Sequence, residues 1–180
     1  MTDAGLRAKY MRRFQIQDAD GDGILVREDI IGRAEILLGG LAESPQSPRG
    51  QDVISGAQTY WDGLMKLAGD PGDGRLTEAA FVDALLQAKE SGTLGELVRP
   101  SVEAHVALID TDGDGTVSRQ EFLHSQGLFG MPEAQAQKAF DAIDSDGDDR
   151  LTVEEWQEAV IEAYSTGDEV PGDLVMGLRH

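Results

Sequence analysis

Three short segments of the chain put aspartate at alternate positions and fill the gaps mainly with glycine: Asp18-Ala-Asp-Gly-Asp-Gly23, Asp110-Thr-Asp-Gly-Asp-Gly115 and Asp144-Ser-Asp-Gly-Asp-Asp149. Three carboxylates within one turn repel one another unless a cation sits among them. A solvated acidic surface has no reason to repeat this arrangement three times. The chemistry such oxygen clusters can do is the ligation of a hard divalent cation. There is no cysteine, which removes zinc-thiolate sites, disulfides and thiol catalysis together.

From each first aspartate the chain reads onward as the twelve-residue calcium loop of an EF-hand, a segment set between two helices. In the third loop Asp110, Asp112 and Asp114 hold positions 1, 3 and 5, and Gly115 holds position 6. Thr116 offers its carbonyl at 7, Val117 is the apolar residue at 8, Ser118 stands at 9, and Glu121 closes position 12 as the bidentate ligand. The fourth loop has Asp144, Asp146 and Asp148, the Arg150 carbonyl at 7 and Glu155 at 12. Its departure is Asp149, which stands where the sharp turn with positive φ favours glycine, at a cost of about 1 kcal/mol. The first loop has Asp18, Asp20, Asp22, Gly23 and the Ile24 carbonyl, but Val26 at position 9 and Asp29 at position 12. Asp29 is one methylene shorter than glutamate, so this site is expected to bind Ca²⁺ more weakly, or to discriminate less well against Mg²⁺.

Such loops pair through a short β contact, so three imply a fourth. Residues 69–80 supply its frame, with Gly74 at position 6 and Leu76 at 8. Gly69, Pro71 and Ala80 occupy positions 1, 3 and 12, leaving Asp73 as the only side-chain ligand, so no metal is expected there. The flanks repeat independently of the ligands. Position 13 is Ile30, Phe81, Phe122 and Trp156, and four residues before each loop stand Phe14, Met65, Val106 and Phe140, at core-facing helical spacing.

The elements that must position these loops follow. A first helix is expected over 3–17, and a second ends near Gly39-Gly40. Residues 43–50 read as a linker, followed by a lengthened helix from about 50 to 68, because the first two loops begin 51 residues apart and the last two 34. Ser91–Gly95 divides an N-terminal pair, 1–92, from a C-terminal pair, 93–180. Pro132 reads as the first residue of a helix. The extension 165–180 carries Val170, Leu174, Val175, Met176 and Leu178 and is expected to dock. The fold class is therefore all-α, with four helix-loop-helix units in two pairs forming one body with short β contacts.

With 34 acidic and 15 basic residues the formal charge is −19, which disfavours nucleic acid and anionic membranes and suits cations or basic partner segments. The beginning Met1-Thr2-Asp3 shows no secretory or myristoylation signal, and no apolar run reaches the roughly 18 residues that span a bilayer. A cytoplasmic monomer is expected. Arginine outnumbers lysine eleven to four, which hints at a GC-rich bacterial genome.

Four hands, a silent second loop, Asp29 closing the first loop and an apolar C-terminal tail make the chain similar to the sarcoplasmic calcium-binding proteins and the bacterial calerythrin-like proteins. The resemblance covers essentially the whole chain. It implies one compact body and Ca²⁺ ligation by the residues named above. The coelenterazine-binding photoproteins share the silent second hand. Their His-Trp-Tyr clusters and terminal proline are not matched by a chain with three His, two Trp and three Tyr that ends Arg179-His180. His105, beside core position Val106, reads as a helix-surface or packing histidine.

Three Ca²⁺ would bring the charge to −13. Each site at about 100 times its dissociation constant adds roughly 2.7 kcal/mol of stability. A loose metal-free state that tightens on binding is expected, as in an intracellular calcium buffer. The alternative is a sensor that opens a groove for a basic amphipathic helix of a target. Scattered methionines and the apolar tail favour the buffer. No Gly-rich phosphate loop, His-Glu-x-x-His motif or thiol nucleophile supports an enzyme.

Overall fold

A computed structural model describes residues 3–176. The N-terminal half runs α1 (Asp3–Gln17), β1 (Ile24–Leu25), α2 (Arg27–Gly40), α3 (Pro48–Leu67), β2 (Leu76–Thr77) and α4 (Glu78–Glu90). The C-terminal half runs α5 (Leu94–Ile109), β3 (Val117–Ser118), α6 (Arg119–Leu128), α7 (Glu133–Ile143), β4 (Arg150–Leu151), α8 (Val153–Ser165) and α9 (Gly172–Val175). The fold is all-α, as the loop repeat implies.

Each loop of a pair contributes a two-residue strand. β1 and β2 pair antiparallel with Ile24 opposite Thr77 and Leu25 opposite Leu76. β3 and β4 pair likewise, with Val117 opposite Leu151 and Ser118 opposite Arg150. The position-8 residues Leu25, Leu76, Val117 and Leu151 are all fully buried, so the second loop keeps this frame for packing although Gly69, Pro71 and Ala80 stand at its positions 1, 3 and 12.

The repeating flanks form the core. Phe14 meets Phe81 edge-on with ring centroids 5.7 Å apart. In the other half Phe122 lies 5.5 Å from Phe140 and 5.2 Å from Trp156. Helix α3 packs along α5, α2 meets α6 and α1 meets α8, so the pairs share one interior. The α3–α5 approach depends on Gly56, where a Cβ would press on the Pro100 carbonyl oxygen at 2.7 Å.

Two boundaries differ from the sequence reading. The segment expected to remain a linker to residue 50 is already helical at Pro48: Ser47 caps the helix by accepting from the Gly50 N–H at 3.0 Å, and Pro48 supplies a pre-set φ in the first turn. Pro132 is the extended N-cap of α7 rather than its first helical residue, which is Glu133.

The C-terminal extension docks. Val170, Leu174 and Val175 pack on the core and Met176 is buried, while Leu178 lies outside the described residues. Two polar links hold the segment to α1: Lys9 Nζ pairs with the buried Asp173 at 2.7 Å, and Arg13 Nη1 donates to the Met176 carbonyl at 2.9 Å. Among the described residues no helix is long and apolar enough to cross a membrane.

At Gly172 a Cβ would run into the Ala159 carbonyl oxygen of α8, whereas at Gly32, inside α2, it would meet nothing within 4 Å. Gly172→Ala is expected to cost about 1–3 kcal/mol through overpacking, and Gly32→Ala to add roughly 0.5–1 kcal/mol through helix propensity. Denaturant midpoints moving in opposite directions would confirm the tail's close seat on α8; equal midpoints would refute it.

Candidate metal centres

The position-1 aspartate organises each acidic loop. Asp18 accepts from the Gly21 and Gly23 N–H groups, both at 3.0 Å. Asp110 accepts from Gly113 and Gly115 at 2.7 and 2.9 Å, and Asp144 from Gly147 and Asp149 at 2.9 and 3.1 Å. The later aspartates repeat the pattern two residues on: Asp20 accepts from Asp22 N–H, Asp112 from Asp114 and Asp146 from Asp148. Backbone donors thus wind the chain around its own carboxylates.

The exiting helix is tied to the loop by the same residues. Position 9 is the N-cap and position 12 is the third helical residue, so Ser/Thr at 9 with Glu at 12 forms a capping box. Ser118 accepts from the Glu121 N–H while Glu121 accepts from the Ser118 N–H at 2.9 Å. Thr152 and Glu155 repeat this at 3.0 Å. The second oxygen of each glutamate reaches back across the loop to position 2, to the N–H of Thr111 at 2.7 Å and of Ser145 at 3.0 Å.

The first and second loops each keep half of this device. Val26 offers no acceptor, and Asp29 accepts only the Val26 N–H, at 2.8 Å. In the second loop Thr77 caps the Ala80 N–H, but Ala80 brings no carboxylate.

Among the described residues carboxylate oxygens converge in three places, each set lying within 4.8 Å: Asp18, Asp20 and Asp22; Asp110, Asp112 and Glu121; Asp144, Asp146 and Glu155. Such all-oxygen sets suit Ca²⁺, which needs hard oxygen ligands. Asp29, Asp114 and Asp148 stand beside these sets rather than within them. The carbonyl-bearing residues Ile24 and Arg150 open β1 and β4, and Thr116 directly precedes β3.

The arginine side chains are what ligand spacing left unread. Arg150 reaches across the pair to the Asp114 carboxylate and donates to Thr116 Oγ1 at 2.9 Å. Arg75, at the same position 7 of the silent loop, approaches Asp22 at 3.9 Å. That both even loops carry arginine at position 7 was the available signal. Asp149 adopts φ 66°, and its carboxylate accepts from Arg119 Nε at 2.7 Å, an ion pair that glycine would forgo. The Arg119 guanidinium also covers the Phe140 ring at 4.3 Å.

The electrostatics follow. Burial alone would raise Glu121, but hydrogen bonds from Thr111 and Ser118 outweigh it and bring the carboxyl down to about 2. Glu155 is lowered in the same way by bonds from Thr152 and Ser145 against its burial. Asp29 moves the opposite way, raised by burial and by repulsion from Asp20, Asp18 and Asp22.

The helix-loop-helix pairs and their oxygen clusters define a protein of the EF-hand class. The EF-hand family matches residues 107–124 and 136–161. Calerythrin of Saccharopolyspora erythraea is 28% identical over 163 residues, 89% of this chain and 92% of that protein. A Streptomyces coelicolor calcium-binding protein, solved as a structural basis for prokaryotic calcium-mediated regulation, is 32% identical with a TM-score of 0.78, over 89% of this chain and 98% of that one. The chain belongs to the same family of prokaryotic EF-hand calcium-binding proteins as this Streptomyces protein, and it is similar to calerythrin. The photoprotein mitrocomin of Mitrocoma cellularia shares the fold, with a TM-score of 0.79 over 97% of this chain and 90% of its own at 20% identity.

Two outcomes are expected. Glu121 is held below its ordinary value of 4.5, so its contribution to metal-free stability is complete above pH 4.5 and is lost as pH falls toward 2. The urea midpoints of chelated protein and of Glu121→Gln should therefore differ at pH 6 and draw together as pH falls toward 2; parallel curves would overturn this. Arg150→Gln frees Asp114 and removes a positive charge beside two loops, so it should tighten Ca²⁺ binding about two- to fivefold in a chelator-competition titration. Weaker binding would mean that the arginine scaffolds the loop instead.

Proposed function

We propose that the chain is a calcium buffer that binds three Ca²⁺ ions and closes around them. The ligands are Asp18, Asp20, Asp22, Asp29 and the Ile24 carbonyl in the first loop, and Asp110, Asp112, Asp114, Glu121 and the Thr116 carbonyl in the third. In the fourth they are Asp144, Asp146, Asp148, Glu155 and the Arg150 carbonyl. The second loop stays empty. The first site admits Mg²⁺ most readily, because Asp29 remains at the helix cap while Glu121 and Glu155 already fold over their loops. Residues 1–92 and 93–180 are its two halves, working within one monomeric cytoplasmic body. No catalysis, nucleic acid or membrane enters this reading.

The observation that carries the buffer reading is the docked tail, which lies where apolar surface would otherwise be open. Among the described residues the exposed large hydrophobics are Met11 and Ile36, too few for a groove that receives a target helix. The sensor reading draws on the Streptomyces relative, whose structure concerns calcium-mediated regulation. It requires Ca²⁺ to lift the tail or part the helix pairs.

Calorimetry should give three Ca²⁺ per chain, falling to two for Glu121→Gln. A phenyl-substituted matrix separates the two functions: a buffer is retained no better with Ca²⁺ than with chelator, whereas Ca²⁺-dependent retention would establish a sensor. Two or four sites would refute the ligand assignment independently of the matrix result.

A further inference from the structure

The shared interior of the two halves is not solid. A cavity of about 380 Å³ lies between them, within the roughly 300–1,000 Å³ range of small-molecule sites. Its apolar wall includes Ile30, Val98, Val102, Trp156 and Met176, and its polar lining is cationic or neutral. Arg13 and Arg33 both face it, and no aspartate or glutamate does, in a chain where acids outnumber bases by more than two to one.

Neither cation has an acidic partner among the described residues. Arg13 donates Nη1 to the Met176 carbonyl and interacts with the Tyr60 and Tyr164 hydroxyls, while its Nε is shielded from solvent without a partner. Arg33 spends Nη1 on the Ile16 carbonyl at 3.2 Å and sits over the Phe129 ring at 5.2 Å. Among the described residues neither makes an ion pair, although each guanidinium carries five N–H donors. Gln17 Oε1 and His105 Nε2 are likewise shielded and unpartnered, while Tyr60 and Tyr164 share a hydrogen bond at 3.3 Å. Burial and the nearby Arg13 pull Arg33 down to about 10, and burial with Arg33 takes His105 down to about 4, so the imidazole is neutral at pH 7. Shielded polar atoms are ordinarily satisfied and shielded cations paired, so unpaired guanidiniums beside unpartnered polar atoms around an apolar cavity suit a ligand with an anionic head.

We propose that this cavity binds a small organic monoanion, a carboxylate or sulfonate carried on an apolar body, with its head between Arg13 and Arg33 and its body against Trp156, Val102 and Met176. Two guanidiniums offer the forked donors that such a head accepts. With His105 neutral and no acid in the lining, a single anionic head placed between the arginines offsets their mutual repulsion. No loop carboxylate lines this site, although Gln17, Ile30 and Trp156 of its lining each adjoin a loop ligand, Asp18, Asp29 and Glu155 respectively.

The test uses Ca²⁺-saturated protein, anilinonaphthalene sulfonate as the anionic probe and the uncharged N-phenylnaphthylamine as its control. The sulfonate should bind one per chain and saturably, with emission sensitised by Trp156 and reduced in Trp156→Phe to what Trp61 supplies, and decanoate should displace it. Arg33→Met should weaken the sulfonate about tenfold or more while leaving the uncharged amine within about twofold. The thermal midpoint of ligand-free Arg33→Met should equal or exceed the parent's, which separates loss of a binding group from loss of fold. Ala34→Phe, which fills the void from α2, should abolish both probes. Unsaturable binding, failure of decanoate to displace, or undiminished sulfonate affinity in both Arg33→Met and Arg13→Met would overturn the proposal and leave a cavity holding water only.

Discussion

Carboxylates wound into one turn repel, and the chain answers that repulsion before any ion arrives. Each position-1 aspartate turns at least two backbone N–H groups toward itself, three at Asp110, and each following aspartate takes one more. The loop is thus a shell of peptide donors on the outside of a cluster of oxygens, which leaves the oxygens aimed at one another. Such geometry is stable only when something positive stands at its centre. Everything else in the fold, from the angle of each helix to the pairing of strands, is the means of holding that turn.

The exiting helices show how tightly ligation and folding are joined. The glutamate that closes the third or fourth loop also caps the helix that follows, one oxygen on the N-cap N–H and the other across the loop. A change at that position disturbs helix start and metal cluster together. The first and second loops each retain one half of the device, which is why both still lead into a well-formed helix despite different losses. Asp29 carries the burden of this compromise: it is held at the cap, partly shielded, and repelled by the three aspartates ahead of it.

Charge is distributed against the trend of the chain. The surface is acidic, the loops most of all, while two arginines with no acidic counterpart line the central void. The tail completes that interior, since Met176 gives its carbonyl to Arg13 while Asp173 receives Lys9. The tail therefore contributes both to the packing of the interior and to the surroundings of its arginines.

The reach of the sequence was long wherever spacing along a single loop or helix determined the outcome. Aspartate alternation located three clusters, position 8 identified the residues that face each other across both strand pairs, and the flanking aromatics named the core. Local chemistry could be misjudged by a residue or three, as where Ser47 and Pro48 start a helix inside a supposed linker. Contacts across long separations were another matter. Asp114 meets an arginine 36 residues away, and His105, read as a surface or packing residue, stacks beside Phe129 and Trp156 at the wall of a cavity. The convergence of Arg13 from α1 with Arg33 from α2 around a void shared by both halves has no sequence period to reveal it. What the sequence by itself determined was the cation chemistry and its frame, because twelve consecutive residues hold nearly all the ligands; what the tertiary structure alone decided was the interior, because its charges are neighbours only after the helices pack.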